Sequence, residues 1–101
     1  MQHSEARVQT TTPARYLGQL CKHFAHKIPV TLEADTGSIA FPAGLCRLAT
    51  GVDTLILRVE APDAAALAQV QDVVARHLLR FAFREPPTIE WHGATDVQAG
   101  S

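Results

Sequence analysis

The chain has 101 residues, a formal net charge of -1 and 47% hydrophobic residues. A single domain of this length buries roughly 60% or somewhat more of its unfolded surface, so it can hold a core without covalent staples. Nine Lys and Arg against ten Asp and Glu are scattered along the chain. They give no basic face of the kind phosphate contacts need, and no apolar run approaches the ~20 residues of a membrane span.

The start, Met1-Gln2-His3-Ser4-Glu5, lacks a basic head followed by an apolar stretch. The expectation is a chain without a secretory signal, cytoplasmic, with its two cysteines reduced. Glu5 to Thr10 alternates as a short strand near an edge. Thr11 and Thr12 before Pro13 cap a helix. That helix is predicted to run to about Lys27, where Ile28-Pro29 ends it.

Val30 to Glu33 reads as the next strand, and Asp35-Thr36-Gly37 as a hairpin turn. Ser38 to Phe41 continues as a strand, Pro42-Ala43-Gly44 interrupts it as a bulge or bend, and Leu45 to Ala49 resumes it. Gly51-Val52-Asp53 turns the chain into Thr54 to Glu60. There Leu55, Leu57 and Val59 face the core, and Arg58 and Glu60 face out.

Asp63 is the predicted cap of a second helix, with Leu67, Val70, Val74, Leu78 and Phe81 at helical spacing. Pro86-Pro87 closes it, Thr88 to His92 forms a last strand, and residues 93–101 form a flexible C-terminal tail. Residues 4–92 thus make one α+β domain of order β-α-β-β-β-α-β. Its sheet is expected to be mixed and mostly antiparallel, with right-handed crossovers to the end strands and both helices on one face.

Several segments together resemble a bacterial family. They are Arg15-Tyr16-Leu17, Leu20-Cys21-Lys22-His23-Phe24-Ala25-His26-Lys27 and His77-Leu78-Leu79-Arg80-Phe81-Ala82-Phe83-Arg84-Glu85. Glu60-Ala61-Pro62-Asp63 and Trp91 fit the same pattern. The family is domain-of-unknown-function family 2218, and the resemblance covers residues 4 to 92. It implies no activity, cofactor or catalytic residue. It does imply an association with siderophore-interacting flavoproteins, and so a link to iron or siderophore metabolism.

The first helix holds Cys21, His23 and His26, which invites a metal site. At ~100° per residue, Leu17, Leu20, Cys21 and Phe24 share the apolar stripe. Cys21 then lies about 40° to one side of it, His23 about 120° to the other and His26 about 180° away. Cys21 and His26 cannot share an ion. His23 and His26 could chelate only with a third ligand.

His77 flanks the second helix's apolar face and reads as a half-buried histidine bonded to a carbonyl or carboxylate. Three antiparallel strands between the helices would set them parallel. The flanks carrying His23 and His77 would then point the same way, which counts against a shared site.

Cys21 and Cys46 sit on core-facing positions and read as small hydrophobes rather than nucleophiles. Phosphate loops, serine elbows and zincin motifs are missing from the sequence. The inner α-β-β-β-α order resembles the double-stranded-RNA-binding domain. Here, however, the second helix opens Asp63-Ala64-Ala65-Ala66-Leu67-Ala68 with no cation to grip phosphates.

The reading that results is a non-catalytic accessory domain binding a small ligand, a partner protein or a second copy, with no nucleic acid, no membrane and no cofactor named. Its candidate residues are Tyr16, His23, Lys27, His77 and Arg84. A pocket between the helix ends and Pro42 to Gly44 is the expected place for a ligand. The alternative is a metal- or redox-linked enzyme using His23, His26 or His77.

Overall fold

The computed structural model describes residues 1–93; the tail predicted over 93–101 lies, beyond Gly93, outside the described residues. Strand β1 (Gln2–Gln9) leads to helix α1 (Pro13–Phe24). Four strands follow, β2 (Val30–Leu32), β3 (Thr36–Ala40), β4 (Leu45–Gly51) and β5 (Thr54–Ala61), then helix α2 (Ala64–Phe81). The five strands form one sheet in the order β1-β5-β4-β3-β2, and each neighbouring pair is antiparallel. The α+β class is as the residue pattern predicts.

Alternation sets the two sheet faces. Leu55, Leu57, Val59 and Ala61 of β5, Cys46 and Leu48 of β4, Ile39 of β3, and Ala6 and Val8 of β1 are buried. They meet Leu17, Leu20, Cys21 and Phe24 of α1 and Leu67, Val70, Val74 and Leu78 of α2 in one core. Each such fully buried aliphatic side chain contributes roughly 1.5–3 kcal/mol. The opposite face carries Thr31, Ser38, Arg47, Ile56 and Arg58 around a shallow concavity of about 310 Å³. Both helices therefore cover the same side. No helix among the described residues is long and apolar enough to cross a membrane.

Local chemistry explains the element ends. Asp63 accepts a hydrogen bond from the Ala66 N–H at 2.8 Å, capping α2. Pro13 opens α1, where its missing N–H costs nothing. The predicted end at Lys27 is three residues late. The N–H groups of both Lys27 and Ile28 donate to the Phe24 carbonyl at 3.0 Å, closing a turn that leaves His26 and Lys27 outside the helix. Asp53, the second residue of the turn between Gly51 and Thr54, adopts φ 50, a left-handed backbone that Asp tolerates better than most non-glycine residues.

Three further expectations are revised. Pro42-Ala43-Gly44 is a full chain reversal, not a bulge. Ala40 pairs with Leu45 across it, and Phe41 and Gly44 exchange backbone bonds of 2.8 and 3.2 Å. The sheet is antiparallel throughout rather than mixed. The strand predicted over Thr88 to His92 shrinks to one bridge, in which Glu5 and His92 exchange bonds of 2.9 and 2.8 Å beside β1.

Gly44 is where the reversal passes closest to the rest of the fold. A Cβ there would strike the Glu60 carbonyl and stand 3.0 Å from the Ala61 Cβ and 3.2 Å from Val70. Gly44→Ala should therefore lower stability by about 1–3 kcal/mol. A denaturant melt tests this, and an unchanged midpoint would contradict the packing described.

Candidate functional site

The reversal at Phe41–Gly44 raises the strands between the helices from three to four. With an even number, β5 runs opposite to β1, so α1 and α2 start from opposite ends of the sheet. The inference that His23 and His77 face apart fails for this reason. Their rings lie 4.8 Å apart between centroids, tilted by 45°.

Phe24, the last residue of α1, organises the corner. Its ring stands edge-on to His23 at 4.9 Å and edge-on to Phe41 at 4.9 Å, and lies 4.8 Å from His77. Phe81 meets His23 edge-on at 5.7 Å. Thus the end of α1, the β3–β4 turn and the last two turns of α2 converge on two imidazoles. His77 is half-buried, and its Nδ1–H donates to the Val73 carbonyl at 2.7 Å. A carbonyl can only accept, so Nδ1 carries the hydrogen and Nε2 is left for other partners.

His23 is exposed. Its pKa falls below the ordinary 6.5, first through partial desolvation and then through repulsion from His77, Lys27, Arg80 and His26. Each charge that acts on it is a cation. The ion pairs among the described residues lie elsewhere: Glu5 with Arg7 and with Arg58, and Asp72 with Arg76, all at 2.8 Å.

Next to this corner, a cleft of about 370 Å³ opens between the β3–β4 turn and α2. It is lined by Phe41, Pro42, Ala43, Val70, Val73 and Arg76, among others. Phe41 belongs to both cleft and corner, as does Val73, whose carbonyl holds His77. The cleft lies against the middle of α2 and is lined by no residue of α1, so it differs from the pocket expected between the helix ends and Pro42 to Gly44; its volume falls in the lower range of small-molecule sites.

Of the five candidate residues, His23 and His77 come together, and Lys27 sits exposed in the turn that follows α1. Tyr16 is half-buried and packs against the core on α1. Arg84 lies past the end of α2, its guanidinium 5.7 Å from the Phe83 ring. The sequence argument missed Phe24, Phe41, Phe81 and Arg80 as members of the corner. Reading Phe41 to Gly44 as a hairpin would have found them.

The thiols are inert by position. Cys21 and Cys46 are both free and buried. Burial raises the Cys21 pKa. Burial, with a smaller contribution from the neighbouring Cys21, pushes Cys46 up to about 12. Among the described residues, no group of three or more His, Cys, Asp or Glu gathers to hold a metal ion.

With this geometry in hand, comparison with known proteins is informative. The profile of a family described as "Uncharacterized protein conserved in bacteria (DUF2218)" matches residues 5–92. The chain belongs to this DUF2218 family. A solved relative, the NMR structure of PA4090 from Pseudomonas aeruginosa, superposes with a TM-score of 0.78 at 39% sequence identity. The match covers 91% of this chain and 96% of that one. A search of functionally curated proteins gives no match. The DUF2218 domain is therefore read from its own side chains.

Two outcomes follow. Neither thiol should react with an aromatic disulfide reagent at pH 8 until the protein unfolds, since the thiolate is the reactive form; rapid native labelling would contradict this. Because His23 titrates below 6.5 when folded, the unfolded chain takes up that proton first as pH falls. Its stability contribution is intact above the unfolded value and declines as pH drops through 6.5 toward the folded one. His23→Gln should flatten the fall in melting temperature between about pH 7 and pH 5, and an equally steep fall in the variant would count against the assignment.

Proposed function

We propose that this DUF2218 domain is a non-catalytic, cytoplasmic binding module, and that the His23–His77 corner with its adjoining cleft is where a small ligand or partner docks. The carrying observation is the meeting of two imidazoles at 4.8 Å beside a cleft of about 370 Å³. Ligand sites combine apolar walls with a few convergent polar groups. Here Phe41, Pro42, Val70 and Val73 supply the walls of the cleft and Gln69, Asp72 and Arg76 its polar lining, while His23 and His77 stand at the adjoining corner that shares Phe41. Nothing in the arrangement pairs a nucleophile with a base, because both thiols are buried. A role in iron or siderophore metabolism rests on the family association alone.

A second reading, a metal- or redox-linked enzyme using His23, His26 or His77, is favoured by the same ring-to-ring distance. Against it, Val73 already holds one nitrogen of His77, and two imidazoles alone make an incomplete coordination sphere for zinc or iron.

Native mass spectrometry of protein taken from cell lysate separates the two. Binding predicts a co-purifying species, or a second copy of the chain, that is reduced in His23→Ala and present without metal by elemental analysis. Stoichiometric metal lost in His23→Ala and His77→Ala, or turnover that depends on either histidine, would overturn it.

A further inference from the structure

We infer that the His23–His77 corner takes a small oxyanion, a phosphate or carboxylate group, received by His23, His77, Lys27 and Arg80. This deepens the proposed function, on which it rests, by naming the chemistry of what binds there.

His77 lies ring to ring with His23; Arg80 follows His77 by three residues on α2, which places the two on one helix face, and His26 and Lys27 stand in the turn after α1, where the Lys27 N–H bonds the Phe24 carbonyl next to His23. The β3–β4 turn contributes Phe41, which does not titrate. Those are the charged groups that act on His23, and all are cationic when protonated. The carboxylate in the neighbouring cleft, Asp72, is engaged by Arg76 at 2.8 Å.

Gathering like charges costs free energy, and a fold normally offsets it with carboxylates. Here the ion pairs of the described residues leave Lys27 and Arg80 out. The corner's protein side is made of aromatic rings. His77 is held by Val73 so that Nε2 remains for a partner. Once protonated, that nitrogen donates.

An oxyanion bound here would favour protonated His23. By linkage, binding would then be tighter at lower pH, and would take up a proton when the pH lies above the free group's pKa.

The test is a titration with inorganic phosphate and, separately, with succinate, followed by the ring resonances of His23 and His77. It is run at pH 6 and pH 8 with ionic strength held constant by sodium chloride. The expected result is a saturable shift with at least one anion, stronger at pH 6, with a raised titration midpoint for His23. Arg80→Ala and Lys27→Ala, both at exposed positions, should each weaken it by about tenfold, the loss expected for one charge-assisted contact. Response to phosphate alone assigns a phosphoryl group, to succinate alone a carboxylate, and to both either source.

No saturable shift with either anion, or affinities unchanged in both variants, would overturn the proposal. If it falls while lysate-derived protein still loses its bound species on His23→Ala, the binding module stands and only the oxyanion is wrong.

Discussion

The pair of backbone hydrogen bonds between Phe41 and Gly44 is the constraint on which the rest of the structure depends. It turns an interrupted strand into two, and so puts four strands between the helices instead of three. Parity then does the rest. β5 pairs antiparallel with β1, so α2 enters from the end of the sheet opposite to α1. The same turn delivers Phe41 to the ring of Phe24 and opens the cleft beside α2. A bulge at this point would have left two helices whose histidine flanks look the same way.

The core and the corner are governed by different physics. The core is held by burial of aliphatic side chains on one sheet face, where the two cysteines act as small hydrophobes whose thiolates are suppressed. The corner is a junction of aromatic edges and imidazoles on two helices. Stability alone does not call for such a grouping. The oxyanion proposed above would give this grouping a role. Elsewhere the fold does compensate its charges: Glu5 bridges Arg7 and Arg58 on the outer face, and those two guanidinium groups hold its carboxyl below the ordinary 4.5.

Much of the fold was legible in the residues because periodicity reports burial directly. Leu17, Leu20, Cys21 and Phe24, and Leu67, Val70, Val74 and Leu78, fall on the buried faces that their spacing predicts. Asp63 caps the second helix as its side chain suggests. His77 bonds a carbonyl one turn back, as expected of a half-buried histidine. What the residues did not disclose was topology. Proline and glycine at positions 42 and 44 satisfy a bulge and a reversal equally well, and only the pairing of Ala40 with Leu45 decides between them. Because the candidate site lies between elements far apart in the chain, that one ambiguity was enough to separate His23 from His77 in the sequence argument. The final strand failed for a different reason. Alternation at Ile89 and Trp91 is real, and both pack on the core, but only His92 reaches a ladder partner.

The most direct test of the account is the solution contact between the two imidazoles. It is read as nuclear Overhauser effects between the His23 and His77 ring protons, together with the titration of His23 in the wild type and in His77→Gln. The account predicts a direct ring-to-ring effect, a His23 midpoint below 6.5, and an upward shift of that midpoint when His77 loses its charge. Rings that show no mutual effect, with a His23 titration unmoved by His77→Gln, would contradict it.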